Sequence, residues 1–207
     1  AATTNGIRSK LIALWRFAWE VEALASLPRS VARAKERRPL PEAWTIEQVS
    51  RLVNHCARLP GMIGLCPACV WWPAFLLVIY WTASRPKAIL DAAPGDFDPA
   101  GGWLRLRYLK SGRQELCPLP PAVVDLVARL HDPAAQRLFV WPFHRQYVWR
   151  RFRRLVETVG LPCPSSQGRN LFYRLRRTAV SYAWRSSPDA ARRLAGRYPN
   201  VIWVFVG

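Results

Sequence analysis

The chain has 207 residues, of which 51% are hydrophobic and 11 are tryptophan, and its formal net charge at pH 7 is +18. A chain of this length and apolar content can bury a full core, which excludes a disordered tail. The charge predicts a polyanionic partner. Residues 144–197 contain 13 arginines against Glu157 and Asp189, which makes +11 of the +18. Arginine favours bidentate contacts to phosphates or bases.

The N-terminal part divides into a helix and a basic linker. Apolar residues recur at helical spacing over residues 7–24, and residues 29–42 then combine five basic residues with two prolines. At Thr45 a capping box with Gln48 predicts a new helix that ends near Cys56. The absence of an initiator methionine leads us to expect a piece of a longer protein, whose main domain begins at residue 43.

Residues 59–84 carry no charge. Prolines and glycines interrupt the run, so its clean helical part, from about Trp72 to Ala83, is too short to cross a bilayer of about 30 Å. We therefore expect a helix buried in a protein core. Cys66 and Cys69 have the spacing of a zinc knuckle, but no second pair follows, so we expect buried thiols, no metal and no other cofactor. Whether these two cysteines bind metal stays open.

A β-hairpin is predicted next. Residues 103–108 alternate apolar and polar side chains, residues 110–113 form a turn, and residues 114–119 return. Lys110 lies at the tip of this hairpin. A helix from Pro121 to about Leu130 and a short apolar segment at residues 138–142 follow. The fold class expected is mainly α with a small antiparallel β-hairpin.

Two arginine-rich helices close the chain. Residues 144–159 place apolar side chains at 148, 152, 155 and 159, and arginines fill the remaining faces, which predicts a helix facing nucleic acid. Residues 171–184 form the second helix, with Arg176 expected at the edge of its apolar face. Three arginines in its first turns oppose the helix dipole, so we expect an external anion there; a merely solvated basic face is the alternative.

Three cations, Arg85, Lys110 and Arg176, thus come from different elements. Two arginines can hold the non-bridging oxygens of a phosphate while a lysine protonates the leaving 5′-oxygen. Residues 82–85 read T-A-S-R and residues 173–178 read Y-R-L-R-R-T. They resemble T-G-L-R and H-x-L-R-H-T of the tyrosine recombinase (phage-type integrase) family. Weaker matches follow in the same order: the aspartates of 96–98, the hairpin of 103–119, L-F-V-W-P at 138–142 and L-A-G-R at 194–197.

The resemblance implies an integrase-type catalytic domain over residues 43–207, preceded by the last helix of a core-binding domain at 1–28 and the basic linker at 29–42. It implies double-stranded DNA as partner, with a homo-oligomer on that DNA as one possibility, and neither a membrane nor a small-molecule substrate. Five cysteines, an odd number, predict reduced thiols and a cytoplasmic location. The implied catalytic residues are Arg85, Lys110, Tyr173, Arg176 and Arg197. The expected DNA-binding residues are Arg113, Arg150, Arg151, Arg153, Arg154, Arg174 and Arg177.

The departures from the family pattern concern catalysis. Tyr173 and Arg177 stand at the two histidine positions, Arg197 replaces the histidine of L-G-H, and Ala88 replaces an acidic residue. Val206 stands about nine residues after the L-G-H position, where the nucleophilic tyrosine is expected. Without a phenolate no covalent 3′-phosphotyrosine forms. We therefore expect a truncated or decayed recombinase of DNA integration or recombination. Its ability to cleave and rejoin DNA strands is expected to be impaired.

Three other readings stay open at this stage. A DNA-binding relic or regulator would bind DNA with a steep salt dependence and cut nothing. A basic protein attached to membranes through residues 59–84 would require detergent and bind anionic lipid. An RNA-binding domain would use its aromatic side chains to stack bases, although most tryptophans fall on predicted core stripes.

Overall fold

The computed structural model describes residues 2–27, 31–35, 43–108, 113–163 and 171–187, and the chain forms two compact units, Ala1–Leu40 and Pro41–Gly207. In the first unit helix α1 spans Ala2–Glu20. The buried side chain of Asn5 donates to Ala34 O and accepts from Ala34 N–H, both at 2.9 Å. Part of the predicted linker is therefore bound to α1. The origin of this unit in a core-binding domain stays a prediction.

The second unit is mainly helical, which confirms the expected fold class. The predicted capping box is present: Gln48 N–H donates to Thr45 Oγ1 at 3.2 Å, and Thr45 N–H donates to Gln48 Oε1 at 3.0 Å. It satisfies two backbone donors that would otherwise lack a partner at the start of α2. The helices of this unit are α2 (Ile46–Cys56), α3 (Ala68–Thr82), α4 (Pro86–Leu90), α5 (Pro121–Ala128), α6 (Gln146–Thr158) and α7 (Leu171–Ser186).

Helix α3 lies at the centre of this unit, and α2, α5 and α7 pack against it. Eleven of its 15 residues are buried, so the uncharged segment is the expected core helix, beginning four residues earlier than predicted. At 1.5 Å per residue it is about 22 Å long, shorter than the roughly 30 Å of a bilayer core. Among the described residues, no helix is both long and apolar enough to span a membrane.

Two small antiparallel sheets complete the unit. One pairs β1 (Met62–Ile63) with β2 (Cys66–Pro67); the other has the order β3 (Phe97–Asp98), β4 (Trp103–Tyr108) and β5 (Arg113–Pro118). The predicted hairpin is confirmed, with Trp103 opposite Pro118 and Tyr108 opposite Arg113. Strand β3 was not predicted from the sequence. Its two residues pair with β4 through a register that local sequence does not encode.

Stacked aromatic rings join the two arginine-rich helices to α3. The rings of Phe152 on α6 and Phe172 on α7 are parallel within 10°, with centroids 3.9 Å apart. Trp72 of α3 stacks on Phe152 at 6.3 Å, and Phe75 meets Phe172 edge-on at 5.9 Å. Such pairs stabilise by about 0.5–1.5 kcal/mol beyond their buried area. The apolar stripes predicted for both helices are therefore core contacts.

A carboxylate fixes where α6 begins relative to α4. Asp91, directly after α4, accepts from Arg137 Nη1 at 2.9 Å and from Arg145, the residue before α6. Arg137 also donates to Leu90 O at 3.3 Å. One acidic group thus connects the end of α4 to two arginines that lie 46 and 54 residues later in the sequence.

The cysteines of this unit are free thiols. Cys56 is buried, and burial raises its pKa to about 12. Cys66 and Cys69 are half-buried, and burial also raises the pKa of Cys66. Within the described ranges, no three His, Cys, Asp or Glu side chains come together as a metal site.

Candidate phosphodiester-binding site

The turn between α3 and α4 is built around a strained alanine. Ala83, at the family's glycine position, ends α3 with φ 47° and ψ 25°, in the left-handed region. A residue with a Cβ is less stable there by about 1–2 kcal/mol. Thr82 Oγ1 stabilises the turn: it donates to Val78 O at 2.7 Å and accepts from Ser84 N–H at 3.2 Å. The left-handed step reverses the chain directly before Arg85.

Arg85 is the residue before α4. Its backbone is extended, with φ −72° and ψ 138°, and Pro86 occupies the first helical position. Proline suits that position because its backbone nitrogen has no hydrogen to leave without a partner. The Arg85 side chain is exposed. The sequence T-A-S-R-P therefore forms a rigid turn that presents a cation at its surface.

Arg176 on α7 reaches this turn. Its Nε donates to Ala83 O at 2.6 Å, a contact between residues 93 positions apart. Arg176 is 3% exposed, more deeply buried than the expected edge position. A buried guanidinium is stable when its N–H groups are hydrogen-bonded, and the left-handed turn supplies one such acceptor. The structure thus brings Arg176 to the turn that carries Arg85. Arg176 binds the carbonyl of Ala83, and Arg85 follows Ala83 by two residues.

Tyr173 lies one helical turn before Arg176. The Arg176 guanidinium carbon is 5.0 Å from the centroid of the Tyr173 ring, within cation–π range. The ring is 39% exposed. At this position the phenol ring contacts a candidate phosphate-binding arginine. This contact restricts the conformations that the Arg176 side chain can adopt.

The flanking arginines of α7 occupy different environments. Arg174 is 6% exposed, and its Nη1 donates to Pro162 O at 2.9 Å, which ties α7 to the segment after α6. Burial lowers the pKa of Arg174. Arg177 is half-buried, and its pKa is lowered by burial and by the charge of Arg174. Both were predicted to bind DNA; Arg174 instead has a clear structural contact, and its DNA role stays a prediction.

Asp96 anchors the base of the hairpin. It is 3% exposed and accepts from Arg105 Nε at 3.0 Å, from Arg107 Nη2 at 2.8 Å and from Ala93 N–H at 3.0 Å. Burial acts to raise its pKa, but these hydrogen bonds outweigh burial and leave the pKa below its ordinary value. Sequence reasoning noted Asp96 as a family match and missed the two arginines. Arg105 and Arg107 alternate with leucines along β4, so they share one face of the strand, and this pattern was the signal that could have revealed the pairing.

Several predicted site residues lie outside the described residues. The hairpin tip with Lys110 and the tail with Arg197 and Val206 are among them. Arg113 begins β5, with its backbone opposite Tyr108. Of the three predicted cations, the structure thus relates Arg85 to Arg176, and the position of Lys110 stays a prediction.

Helix α6 presents a second basic surface. Arg150, Arg151 and Arg154 are exposed, and they are called the arginine row below. Arg153 points to another environment: it is half-buried, with its Nε 3.8 Å from a carboxylate oxygen of Glu157. Arg150 lies over the ring of Tyr147 at 5.3 Å. The row therefore forms an outward-facing cationic surface suited to a phosphate backbone.

No protein-family model and no curated protein sequence matches the chain. Solved structures do match. Lambda integrase residues 75–356, in a dimer bound to a COC′ core site, gives a TM-score of 0.70 at 17% identity over 94% of this chain and 69% of that one. XerH site-specific recombinase bound to difH, a pre-cleavage complex, gives 0.73 at 14% identity over 95% and 59%. The catalytic domain of bacteriophage HP1 integrase gives 0.57 at 14% identity over 79% and 84%.

The chain has the tyrosine recombinase catalytic-domain fold. The predicted resemblance is confirmed at this level. This chain spans 62% of XerA recombinase and 59% of XerH. The shared fold therefore does not by itself assign the activity of those longer proteins to this chain. Within the recombinase fold, the roles of individual residues stay predictions.

Proposed function

We propose that this chain binds duplex DNA and holds one of its phosphodiesters between Arg85 and Arg176, as a site-specific recombinase would. The observation that supports this is the 2.6 Å hydrogen bond from Arg176 Nε to Ala83 O, which ties α7 to the turn that presents Arg85. This bond uses Nε, and it does not itself engage the fork of Nη1 and Nη2 with which a guanidinium grips a phosphate. Two guanidiniums stabilise the charge that builds up on a phosphate during displacement.

The other predicted catalytic residues enter this proposal by their place in the sequence. Lys110 at the hairpin tip acts as general acid toward the leaving 5′-oxygen. Arg197 donates to the phosphate, and Tyr173 holds the Arg176 guanidinium in place. Val206 has no hydroxyl to attack phosphorus. We therefore propose that this chain binds and polarises the phosphodiester but is impaired in covalent strand cleavage.

Affinity for DNA is proposed to come from a wider basic surface. It comprises the arginine row with Arg113, Arg153, Arg174 and Arg177, supported by the net charge of +18. Each phosphate contact releases counterions, so the logarithm of the binding constant falls with the logarithm of salt by about 0.9 per contact. The proposed setting is DNA integration or recombination by a mobile element, with copies of the chain assembled on the DNA.

The test is duplex binding as a function of salt together with a trapping assay on a nicked suicide substrate. We expect tight, salt-dependent binding and no covalent protein–DNA adduct on a denaturing gel. Binding that ignores salt would contradict the DNA-binding proposal. A trapped adduct would contradict the proposed impairment, because it requires a nucleophile that reaches phosphorus.

A second candidate function is DNA binding alone, as a relic or a regulator that occupies recombination sites. The contact of Tyr173 with Arg176 favours it, since an aromatic ring occupies the position of a family histidine. Lys110→Ala distinguishes the two functions. It should spare DNA affinity and abolish any residual cleavage if Lys110 is the general acid. Residual cleavage that Lys110→Ala abolishes would favour the first function over binding alone.

A further inference from the structure

A cavity of about 420 Å³ is lined by the arginine row together with apolar and aromatic residues that the sequence analysis assigned to no site. Strand β1, the start of α3, residues 141–143 and α6 enclose it. Its volume falls within the roughly 300–1,000 Å³ of small-molecule pockets. Trp72, which is 1% exposed, and the buried Ile63 give it an apolar floor.

Aromatic rings form one side of this cavity. Trp141, Phe143 and Tyr147 all line it. Phe143 meets Trp141 edge-on, with centroids 5.6 Å apart, and is 60% exposed; Tyr147 is 50% exposed. Exposed aromatic rings around a cavity are surfaces on which a flat ring can stack.

The charge of the cavity is entirely positive among the described residues that line it. All three members of the arginine row contribute, and no acidic side chain does. Arg150 is also held over the Tyr147 ring at 5.3 Å, so a cation and an aromatic face are presented together. Guanidinium groups at this density match a phosphate, which accepts forked hydrogen bonds.

We propose that this cavity binds one nucleotide, with its base against Phe143 and Tyr147 and its phosphate on the arginine row. The choice of a nucleotide over other aromatic anions rests on the proposed DNA-binding function. An unstacked base in bound DNA and a free nucleotide have the same chemistry. In the first case the cavity would hold a base from a bulged or frayed position of the DNA, next to the phosphates that the arginine row contacts.

Equilibrium dialysis of the full chain with labelled dAMP tests the site directly. We expect saturable binding, and at least tenfold weaker binding of adenosine and of inorganic phosphate, because each lacks one half of the recognised group. Phe143→Ala and Tyr147→Ala should each weaken dAMP by about tenfold, the usual effect of removing one stacking ring. Trp81→Ala removes an aromatic side chain of α3 that is 46% exposed and lies outside the cavity, and it should leave dAMP binding unchanged.

Competition then identifies the source of the nucleotide. A duplex with a single-base bulge should displace dAMP at lower concentration than the fully paired duplex if the ligand is a base of bound DNA. Equal displacement by both duplexes, with dAMP binding retained, indicates a free nucleotide and supports the site. Absence of dAMP binding together with equal affinity for both duplexes would overturn the inference.

These outcomes separate this inference from the proposed function. If the paired duplex binds with a steep salt dependence while dAMP and the bulge have no effect, the nucleotide site is wrong and DNA binding stands. If dAMP binds and loses affinity in Tyr147→Ala while no duplex binds, the site stands and the proposed DNA function is wrong.

Discussion

Helices α6 and α7 are both rich in arginine, yet they use it in opposite ways. On α7, Arg174 and Arg176 are 6% and 3% exposed and donate to carbonyl oxygens of distant segments. On α6, the arginine row is exposed and lines a cavity. The same residue type therefore stabilises the fold at one helix and offers a ligand surface at the other. Charge counted along a sequence does not distinguish the two.

The largest effect should come from Arg176→Ala. It leaves the Ala83 carbonyl without its charged donor inside the core, and hydrogen bonds to charged groups contribute about 1.5–3 kcal/mol. We expect the free energy of unfolding, measured with urea, to fall by about 2–3 kcal/mol. Arg151→Ala, the matched exposed arginine, should change it by less than about 0.5 kcal/mol. Equal decreases in the two variants would remove the distinction between the helices.

Asp96 tests a third arrangement, in which arginines pair with a carboxylate. Asp96→Asn should lower the free energy of unfolding at pH 7 by about 1–2 kcal/mol, a value reduced because both arginines are partly exposed. Since the folded pKa of Asp96 is lowered, its contribution is present above its unfolded pKa of about 3.9 and is lost as pH falls through the folded pKa. The stabilities of the two proteins, measured by urea titration, should therefore begin to converge below about pH 4 and meet only below the folded pKa. A difference that persists in acid would show that the carboxylate charge is not the cause.

Ala83→Gly tests the strain in the turn that receives Arg176. Glycine tolerates φ 47° without the Cβ conflict, so we expect a gain of about 0.5–1 kcal/mol in the free energy of unfolding after the entropy of glycine is subtracted. Ala122→Gly, at an exposed position within α5, should lower the same quantity by about as much. A decrease at both positions would mean that the turn is not strained.

The smallest effect on stability should come from the arginine row. Arg151→Ala combined with Arg154→Ala should change the free energy of unfolding by less than about 0.5 kcal/mol. The salt dependence of duplex binding should nevertheless flatten by about 0.9 for each DNA phosphate that the variant no longer neutralises. Fluorescence anisotropy at a series of salt concentrations measures that slope. An unchanged slope would place the DNA surface away from α6.

Much of the fold was predictable because local patterns agree with it. The capping box at Thr45, the uncharged helix before Ala83 and the alternation of β4 each encode their element within a few residues. Strand β3 was missed, since two residues carry too little periodicity to reveal a strand. The ion pairs of Asp96 were missed as well, because they depend on how β4 lies against the turn before β3.

The candidate site divides in the same way. Arg85 and Arg176 could be singled out from the sequence because their order matched a known pattern. The hydrogen bond from Arg176 to Ala83 O, in the turn before Arg85, could not be predicted. Phe143 and Tyr147 carried a weak signal, two aromatic residues four positions apart ahead of the arginines. That spacing is equally common in core helices, so only their exposure shows them to be available for binding.

The sequence by itself determined the helices, the hairpin, the net positive charge and the order of the cationic residues, because propensity, periodicity and composition act over short stretches of chain. The tertiary structure decided which arginines are buried and which face outward. That choice depends on the acceptors and apolar surfaces that distant segments bring to each guanidinium. Where α7 packs against α3, the carbonyl of Ala83 accepts a hydrogen bond from Arg176. On the outer face of α6, the arginine row is exposed to solvent and lines a cavity.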